Sequence, residues 1–497
     1  MEREPLKKLR RRVTAEAEFL LLLKIAEGLQ AEIYLVGGLV RDAFLGRDTA
    51  DADLILSRRS LEGASQFARA TGGTLVLLRE IGGMARVVVK ERTFDFAEYR
   101  GQDLPSDLAA RDFTVNAVAL PLAEAFGEGP WSPIDPLGGI KDIRSRTLRM
   151  TSDRALLEDP LRLLRAFRLS AQLDLDIEPH TLEAVETYAR LLPRCAPERI
   201  HQEWLILLSQ DRSYSQLQGM DRTGLLAVLF PELTRLKGLI QDKHHHLDAF
   251  DHSLLTVHIL EAFFQRPESL PAGWSKDCSP FFHEKKKKAW LKEAALFHDL
   301  GKADTFVEKG DGRRTFFGHA RASEENFLTV AERLRMGNAE RDFVVKMLGN
   351  HMRPLYLARE KAEGTLTRRA LLRLLRDMHE DLAPLFLLAL ADDQAAQGPE
   401  KSPTQTEDLL AVLRQALALK EEVLRPIEEN PPLLRGKDLI ALGLKPGPLF
   451  GRLLAELKEE RLEGRIKNRE EAWTWIKAKV KDLGLFPQTS GPGRKPA

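Results

Sequence analysis

The sequence predicts an α+β protein: a mixed α/β head followed by an all-helical body. Three observations carry that prediction. Five short β-like runs, at 33–36, 52–56, 74–78, 86–89 and 93–97, alternate with helical stretches inside the first 150 residues. From about residue 152 the strand signals fade into amphipathic patterns such as "LEDPLRLLRAFRLSAQL" (157–173) and "LLRGKDLIALGLKPGPLFGRLLAEL" (433–457). A chain of 497 residues is also long enough for several cores, about three or four domains. Pro-, Gly- or charge-rich stretches at 265–280, 398–405 and 487–497 are candidate linkers, the last expected to be a disordered tail. No internal repeat stands out.

Lys+Arg 75 against Asp+Glu 74 leaves a net charge near zero. A polyanion partner would therefore meet local basic patches, not a bulk field. Cys195 and Cys278 have neither metal-type spacing nor a cysteine framework, which fits a reducing, cytoplasmic setting. Residues 3–12 are basic and 19–23 apolar, but Glu16 and Glu18 break any signal-peptide core. Nothing reaches the roughly 18 apolar residues of a membrane span, so no membrane partner is expected.

The first element with chemistry is "YLVGGLVRDAFLGRDTADADLIL" (34–56). In an extended strand side chains alternate, so Asp51 and Asp53 share a face and Ala52 and Leu54 take the other. Such a carboxylate pair can hold two divalent cations about 4 Å apart, one activating a hydroxyl and one neutralising a triphosphate. Gly37 and Gly38 allow a tight turn that offers backbone N–H groups to phosphate, with the Arg41-Asp42 pair next and Arg41 a candidate clamp. Phosphoryl or nucleotidyl transfer is the natural reading; an ordinary Gly-Gly turn beside a surface Asp-x-Asp is the bland one.

Further matches follow in order: "DFAEYR" (95–100), "DLAARDFTVNA" (107–117), "IDPLGGIKDI" (134–143), "LEDPLRLLRAFRLSAQL" and "PERIHQEW" (197–204). Together with the Gly-Gly and Asp-x-Asp they resemble the motif series of the class II tRNA nucleotidyltransferase and poly(A) polymerase family, to about residue 210. The resemblance implies a nucleotidyltransferase-type head in which Asp51 and Asp53 hold Mg²⁺, and Asp95 is a third carboxylate on a neighbouring strand. It places Arg111, Asp112 and Asn116 on the ribose and triphosphate, although Asp112 also suits a helix start. Asp159 and Arg162 become the base-reading pair, one helical turn apart and so on one face: a carboxylate accepts from an exocyclic amine while a guanidinium donates. The competing reading makes Asp159 a cap before Pro160. Arg165 and Arg168 prolong a basic stripe toward triphosphate or RNA.

Two departures bear on specificity. The second motif has Ala110-Arg111 where relatives usually carry two arginines. Only the six residues "GQDLPS" (101–106) separate the carboxylate strand from that motif, where relatives that complete CCA carry a longer flexible loop. The resemblance implies that enzymes without the loop add C and stop.

A second constellation lies in the body. His252, His298, Asp299, His319, His351 and Asp392 run in the order H…HD…H…H…D. This resembles the HD-domain metal phosphohydrolases, and the donor set suits Mg²⁺, Mn²⁺ or Ni²⁺ at a hydrolytic site. His244, His245 and His246 read as flanking residues, Lys302 as a candidate phosphate contact, and "KKKK" (285–288) as a solvated helix face or an RNA-backbone patch.

The expected division is a nucleotidyltransferase head at 1–150, a helical neck and RNA-binding region at 151–240, an HD domain at 241–400 and a C-terminal helical RNA-binding region at 401–486, before the tail at 487–497. The expected activity is template-independent addition of C, or A as the alternative, to tRNA or other RNA 3′ ends from CTP or ATP, releasing pyrophosphate. A poly(A) polymerase, or an HD phosphodiesterase or phosphatase acting on RNA ends, are the competing expectations.

Overall fold

The computed structural model describes residues 4–79, 83–241, 245–271, 274, 276–462 and 464–483. The expected tail at 487–497 and His244 lie outside the described residues. The head is a six-stranded sheet of β1 (Ile33–Val36), β2 (Ala52–Leu56), β3 (Thr74–Arg79), β4 (Met84–Val89), β5 (Arg92–Glu98) and β6 (Ala119–Pro121), in the order β3-β4-β5-β2-β1-β6. All five runs read from the sequence form strands. β6 was not predicted, because three residues ending in proline give too short an alternation to see. β1 is antiparallel to β2 and β6, whereas β2 runs parallel to β5.

The sheet has unequal faces, and this positions the carboxylates. Ala52, Leu54, Phe94 and Phe96 pack with Phe19 and Phe67, from the helices Ala17–Gly28 and Ser60–Thr71, into one apolar core. Phe67 meets Phe94 edge-on at 4.9 Å. The period of two then turns Asp53 and Asp95 to the other face. That face also carries a smaller apolar cluster of Val36, Ile55, Leu104, Leu108, Ala117 and Ala119.

The body is mostly helical, as expected. Its strands are two-residue pairs, Thr147–Leu148 with Asp176–Ile177 and Val307–Glu308 with Arg314–Thr315. One apolar core runs from Phe113 to Leu462, joining neck and HD-region helices without a break. Buried polar contacts fasten that junction. Glu261 Oε1 accepts from Ser213 N at 2.7 Å, and Lys292 Nζ donates to Glu261 Oε1 at 2.9 Å and to Gln210 O at 2.6 Å. Such a pair persists in a dry core because every charge has a partner. Segment 265–280 joins two helices of one bundle, Ala249–Gln265 and Lys285–Phe297, with Cys278 buried, so its composition marks a loop and not a boundary between units. Lys285 and Lys286 are exposed on the first turn of the second helix, as a solvated face requires. Residues 434–480 form a small core of their own around Leu439, Leu453 and Ile476.

Candidate functional site

The head site is built where β1 ends. Gly37 starts the helix Gly37–Phe44 with φ +62°, and a Cβ there would lie 2.4 Å from Asp53 Oδ2. Only glycine fits, for conformation and for space. Gly38 N donates to Asp53 Oδ2 at 3.2 Å. Asp53 stands opposite Asp95 in the β2–β5 register. Burial raises the Asp53 pKa against the opposing pull of Arg111, and Asp95 adds to the rise. A half-buried carboxylate beside a second carboxylate is a site that a cation relieves. Asp51, one residue before β2, is exposed and accepts from Thr93 N at 3.1 Å and Thr93 Oγ1 at 2.6 Å.

Several residues expected to meet a ligand make contacts within the protein. Both Asp95 oxygens are taken by the fork of Arg86 at 2.7 Å each. Arg41, 8 % exposed, donates to Asp42 Oδ1 at 2.8 Å and to Asn116 Oδ1 at 2.8 Å, so it is committed to partners inside the head. Asn116 Nδ2 donates to Asp112 Oδ1 at 2.9 Å, and Arg165 Nε lies 3.1 Å from Asp112 Oδ2. Asp112 caps no α-helix; it also accepts from Phe113 N at 2.8 Å beside the short 3₁₀ turn Thr114–Asn116. Burial alone would raise its pKa, but Arg165, Asn116 and Arg162 hold it down at about 2. The chain Arg41–Asn116–Asp112–Arg165 thus ties the head to the neck helix Leu161–Leu173.

The placement of Asp159 and Arg162 on one helix needs correction. Asp159 is extended (φ −138°, ψ 91°) and precedes the helix, so it does not sit a helical turn from Arg162 within one helix. Its Oδ2 accepts from Arg199 Nη2 at 2.8 Å, and its Oδ1 reaches only weakly to Leu161 N at 3.4 Å. Arg162 is buried and donates from Nη1 to Ala155 O at 2.9 Å. The predicted basic stripe is not free: Arg165 faces Asp112, and Arg168 donates to Glu203 Oε2 at 2.8 Å and Gln172 Oε1 at 2.7 Å. Arg86, Arg199, Glu203 and Asp107 escaped the sequence reading: Arg199 and Glu203 pair with residues 40 and 35 positions away, Arg86 pairs across the β4–β5 hairpin, and Asp107 pairs four residues along. Asp107, 2 % exposed, lies 3.2 Å from Arg111 Nε and 4.0 Å from Arg100 Nε.

The body site gathers every predicted residue. His252 comes from the helix Ala249–Gln265, His298 ends the helix Lys285–Phe297, and His319 opens the helix His319–Arg333. His351 lies at the junction of Asn338–Asn350 and Met352–Ala362, and Asp392 on Leu382–Ala395. His298, His319 and His351 each give Nδ1 to a backbone carbonyl, of Ala295 (2.8 Å), Phe316 (2.9 Å) and Leu348 (2.7 Å). That fixes each ring with its Nε2 turned inward. His319 Nε2 and His351 Nε2 then face each other at 3.1 Å, and His298 Nε2 lies 3.1 Å from Asp299 Oδ2 without a hydrogen bond between them. Lone pairs converging on common points are the arrangement a metal ion needs. Asp299 belongs to two such groups, His252–His298–Asp299 and Asp299–His319–His351, and so can bridge two ions. Burial lowers the His252 pKa to about 4 and that of His351 to about 3, keeping both neutral as ligands must be. His298 is raised: burial opposes its charge, but Asp299 outweighs it. Lys302 Nζ lies 2.6 Å from Asp299 Oδ2. His245, read only as a flanking residue, joins His252 and Asp392 in a third group.

A carboxylate pair on a half-covered mixed sheet, fed by a glycine-started helix and joined to a helical body, is the build of a nucleotidyltransferase. Residues 33–149 match the model of the poly A polymerase head domain, 174–237 that of the probable RNA and SrmB-binding site of polymerase A, and 249–396 that of the HD domain. An A-adding tRNA nucleotidyltransferase of Deinococcus radiodurans is 35% identical over 89% of this chain and 94% of its own. A CC-adding tRNA nucleotidyltransferase of Thermus thermophilus is 34% identical over 90% and 93%. The chain therefore belongs to the class II tRNA nucleotidyltransferase and poly(A) polymerase family and carries an HD domain. A solved CCA-adding enzyme in complex with CTP shares its fold, with a TM-score of 0.62 at 19% identity over 96% of this chain and 98% of that one. A Thermotoga maritima CCA-adding enzyme complexed with tRNA aligns at 0.57 and 20% identity over 93% and 94%. Among the described residues no helix is long and apolar enough to cross a membrane.

Proposed function

We propose that this enzyme adds C from CTP to the 3′ end of tRNA, at a site formed by Asp51 and Asp53 with Asp95 beside them. The observation that carries the reading is the registered pair Asp53–Asp95 facing the Gly37–Gly38 helix start. The RNA 3′ oxygen forms a bond to the α-phosphorus, the bond from that phosphorus to the β-phosphate bridging oxygen breaks, pyrophosphate leaves and the hydroxyl proton passes to solvent. Divalent ions, Mg²⁺ in our reading, held by Asp51 and Asp53 supply charge neutralisation and hydroxyl activation. Gly38 orients Asp53, Arg111 sets its charge, and Arg86 holds the Asp95 carboxylate in place. Asp159 and Arg162 read the base on the neck side; Arg199 must release Asp159 for this, which makes base reading conditional on substrate.

Restriction to C is supported by the short span after β5, because Asp103 already caps the helix Leu104–Ala109 by accepting from Ser106 N at 2.9 Å. So few residues cannot reach across a nucleotide pocket. The relative from Deinococcus favours a second reading, A addition to an end in CC. Purified protein given tRNAs ending before, within and after CCA, with each labelled NTP separately, decides between them: CTP used on the truncated tRNA supports our proposal, and ATP used on the CC end with little CTP overturns it.

The HD site is read as a phosphohydrolase whose two divalent ions, Mg²⁺, Mn²⁺ or Ni²⁺, rest on His252, His298, Asp299, His319, His351 and Asp392. Both cysteines are buried, and we place the enzyme in a reducing cytoplasm. We divide the chain as a head (1–150), a neck (151–240), an HD domain (241–400) and a C-terminal helical region (401–486), with the neck and C-terminal helices holding RNA.

A further inference from the structure

Three adjacent strands of the head sheet carry one row of charges. Arg86 of β4 stands opposite Asp95 of β5, and Asp95 stands opposite Asp53 of β2. Ala85, Val87 and Val89 enter the apolar core on the other face, so the period of two turns Arg86 toward the carboxylates. Its fork closes on both Asp95 oxygens at 2.7 Å each. The hydrogen bond to Asp95 raises the Arg86 pKa, and the charges of Asp95, Asp51 and Asp53 add to the rise against burial. One guanidinium therefore feels all three carboxylates of the site.

A carboxylate that accepts from a guanidinium on both oxygens has used the lone pairs a divalent ion would take. Arg86 does at Asp95 what a bound cation would do. The two side chains are 43 % and 31 % exposed, so parting them leaves neither charge stranded in a dry core. Arg111 is held differently: the buried Asp107 lies 3.2 Å from its Nε, and its Nη1 donates to Asn116 O at 3.4 Å. Arg86, by contrast, has a partner that a divalent ion would claim and solvent to move into. A guanidinium displaced by a dication is repelled by it and gains from an anion close by. A triphosphate supplies that anion, and its oxygens match the fork. The second motif offers a single arginine for this task, because Ala110 precedes Arg111.

We propose that Arg86 is a counter-cation of the head site: it competes with a divalent ion for Asp95 and shifts its fork to the phosphates of the incoming nucleotide as the ion enters. This rests on our reading of Asp51, Asp53 and Asp95 as the metal-holding carboxylates. Metal and nucleotide are then coupled through one side chain, since each favours the arrangement the other needs.

Mn²⁺ binding is titrated by calorimetry on full-length Asp299→Ala protein, whose HD cluster lacks its bridging carboxylate, with and without Arg86→Gln. CTP addition is assayed with Arg86→Gln in the otherwise wild-type chain. Arg86→Gln tightens Mn²⁺ binding at the head about tenfold, and at saturating metal it raises KM for CTP about tenfold with a smaller change in kcat. Asp53→Ala, added to Arg86→Gln, abolishes the gain in Mn²⁺ affinity. Arg86→Lys keeps the charge and leaves Mn²⁺ affinity within about threefold of its parent. Opposite changes in the two affinities mark the counter-cation, and Arg86→Ala repeats the test without a side-chain amide. A staple that merely joined β4 to β5 would lower both affinities together or leave Mn²⁺ binding unmoved; either result in folded Arg86→Gln and Arg86→Ala proteins overturns the inference. Failure of the underlying reading looks different, because Asp53→Ala would then add CTP at the wild-type rate whatever Arg86→Gln does to Mn²⁺ binding.

Discussion

The head and HD sites both gather carboxylates around a place for divalent metal, but they hold them in opposite ways. In the HD site Asp299 and His351 are almost fully buried, and three imidazoles are each locked by a carbonyl on the far nitrogen. In the head Asp51 is exposed, Asp95 is tied up by Arg86, and Asp159 by Arg199. One site has its ligating groups set by the fold; in the other, the groups our proposal gives to substrate are held by protein partners. The difference suits their tasks. On our proposal a hydrolytic centre would repeat one geometry with water, whereas a nucleotidyltransferase must admit a long RNA end and a triphosphate and then let both move.

The largest test separates the sites outright. Asp53→Ala should lower nucleotide addition by at least about 10²- to 10³-fold, and Asp51→Ala likewise, without changing divalent metal uptake by the HD cluster; addition at wild-type rates in both would sink the head assignment. The mirror experiment removes the bridge. Asp299→Ala should abolish metal binding at the HD site in calorimetric titration and leave CTP addition within about twofold. Addition lost in a folded Asp299→Ala protein would mean the two sites act as one.

A smaller effect probes how the head keeps its geometry. Gly37→Ala forces a Cβ to 2.4 Å from Asp53 Oδ2 at positive φ, a backbone cost of about 1 kcal/mol plus displacement of the carboxylate. We expect the metal concentration for half-maximal addition to rise and kcat to fall roughly tenfold to 100-fold; unchanged metal dependence would show the Gly–Asp contact to be dispensable.

The smallest effect is on stability and follows pH. Asp112 has a folded-state pKa of about 2 against an ordinary 3.8. Its contribution, about 2 kcal/mol, is therefore fully present above pH 4 and lost as pH falls through 2. Asp112→Asn should lower Tm at pH 7, and the gap to wild type should narrow as pH falls from 4 toward 2. A gap that stays constant over that interval would remove Asp112 from the bridge between head and neck.

Local rules carried much of this protein in its sequence. Alternation alone put Asp53 on the face away from Leu54, because a pleated strand permits nothing else, and the glycine before it was legible as a tight turn. The order H…HD…H…H…D likewise survived into space, since each histidine falls at or near a helix end or on an inward face where a single residue's position sets its direction. Partnerships between distant segments were not legible. Arg86 on Asp95, Arg199 on Asp159 and Glu203 on Arg168 link residues 9, 40 and 35 positions apart, and a charge in a sequence does not say which opposite charge will be packed against it. Arg165 and Arg168 looked like a free basic stripe for that reason, whereas for Asp159 the extended backbone before Pro160 agrees with the cap reading and not with a place inside the helix. His245 entered the metal cluster only through the fold. Sequence determined which groups carry the chemistry and which way each local element turns them; tertiary packing decided which of those groups are free to meet a ligand, because burial and long-range ion pairs are properties of segments brought together.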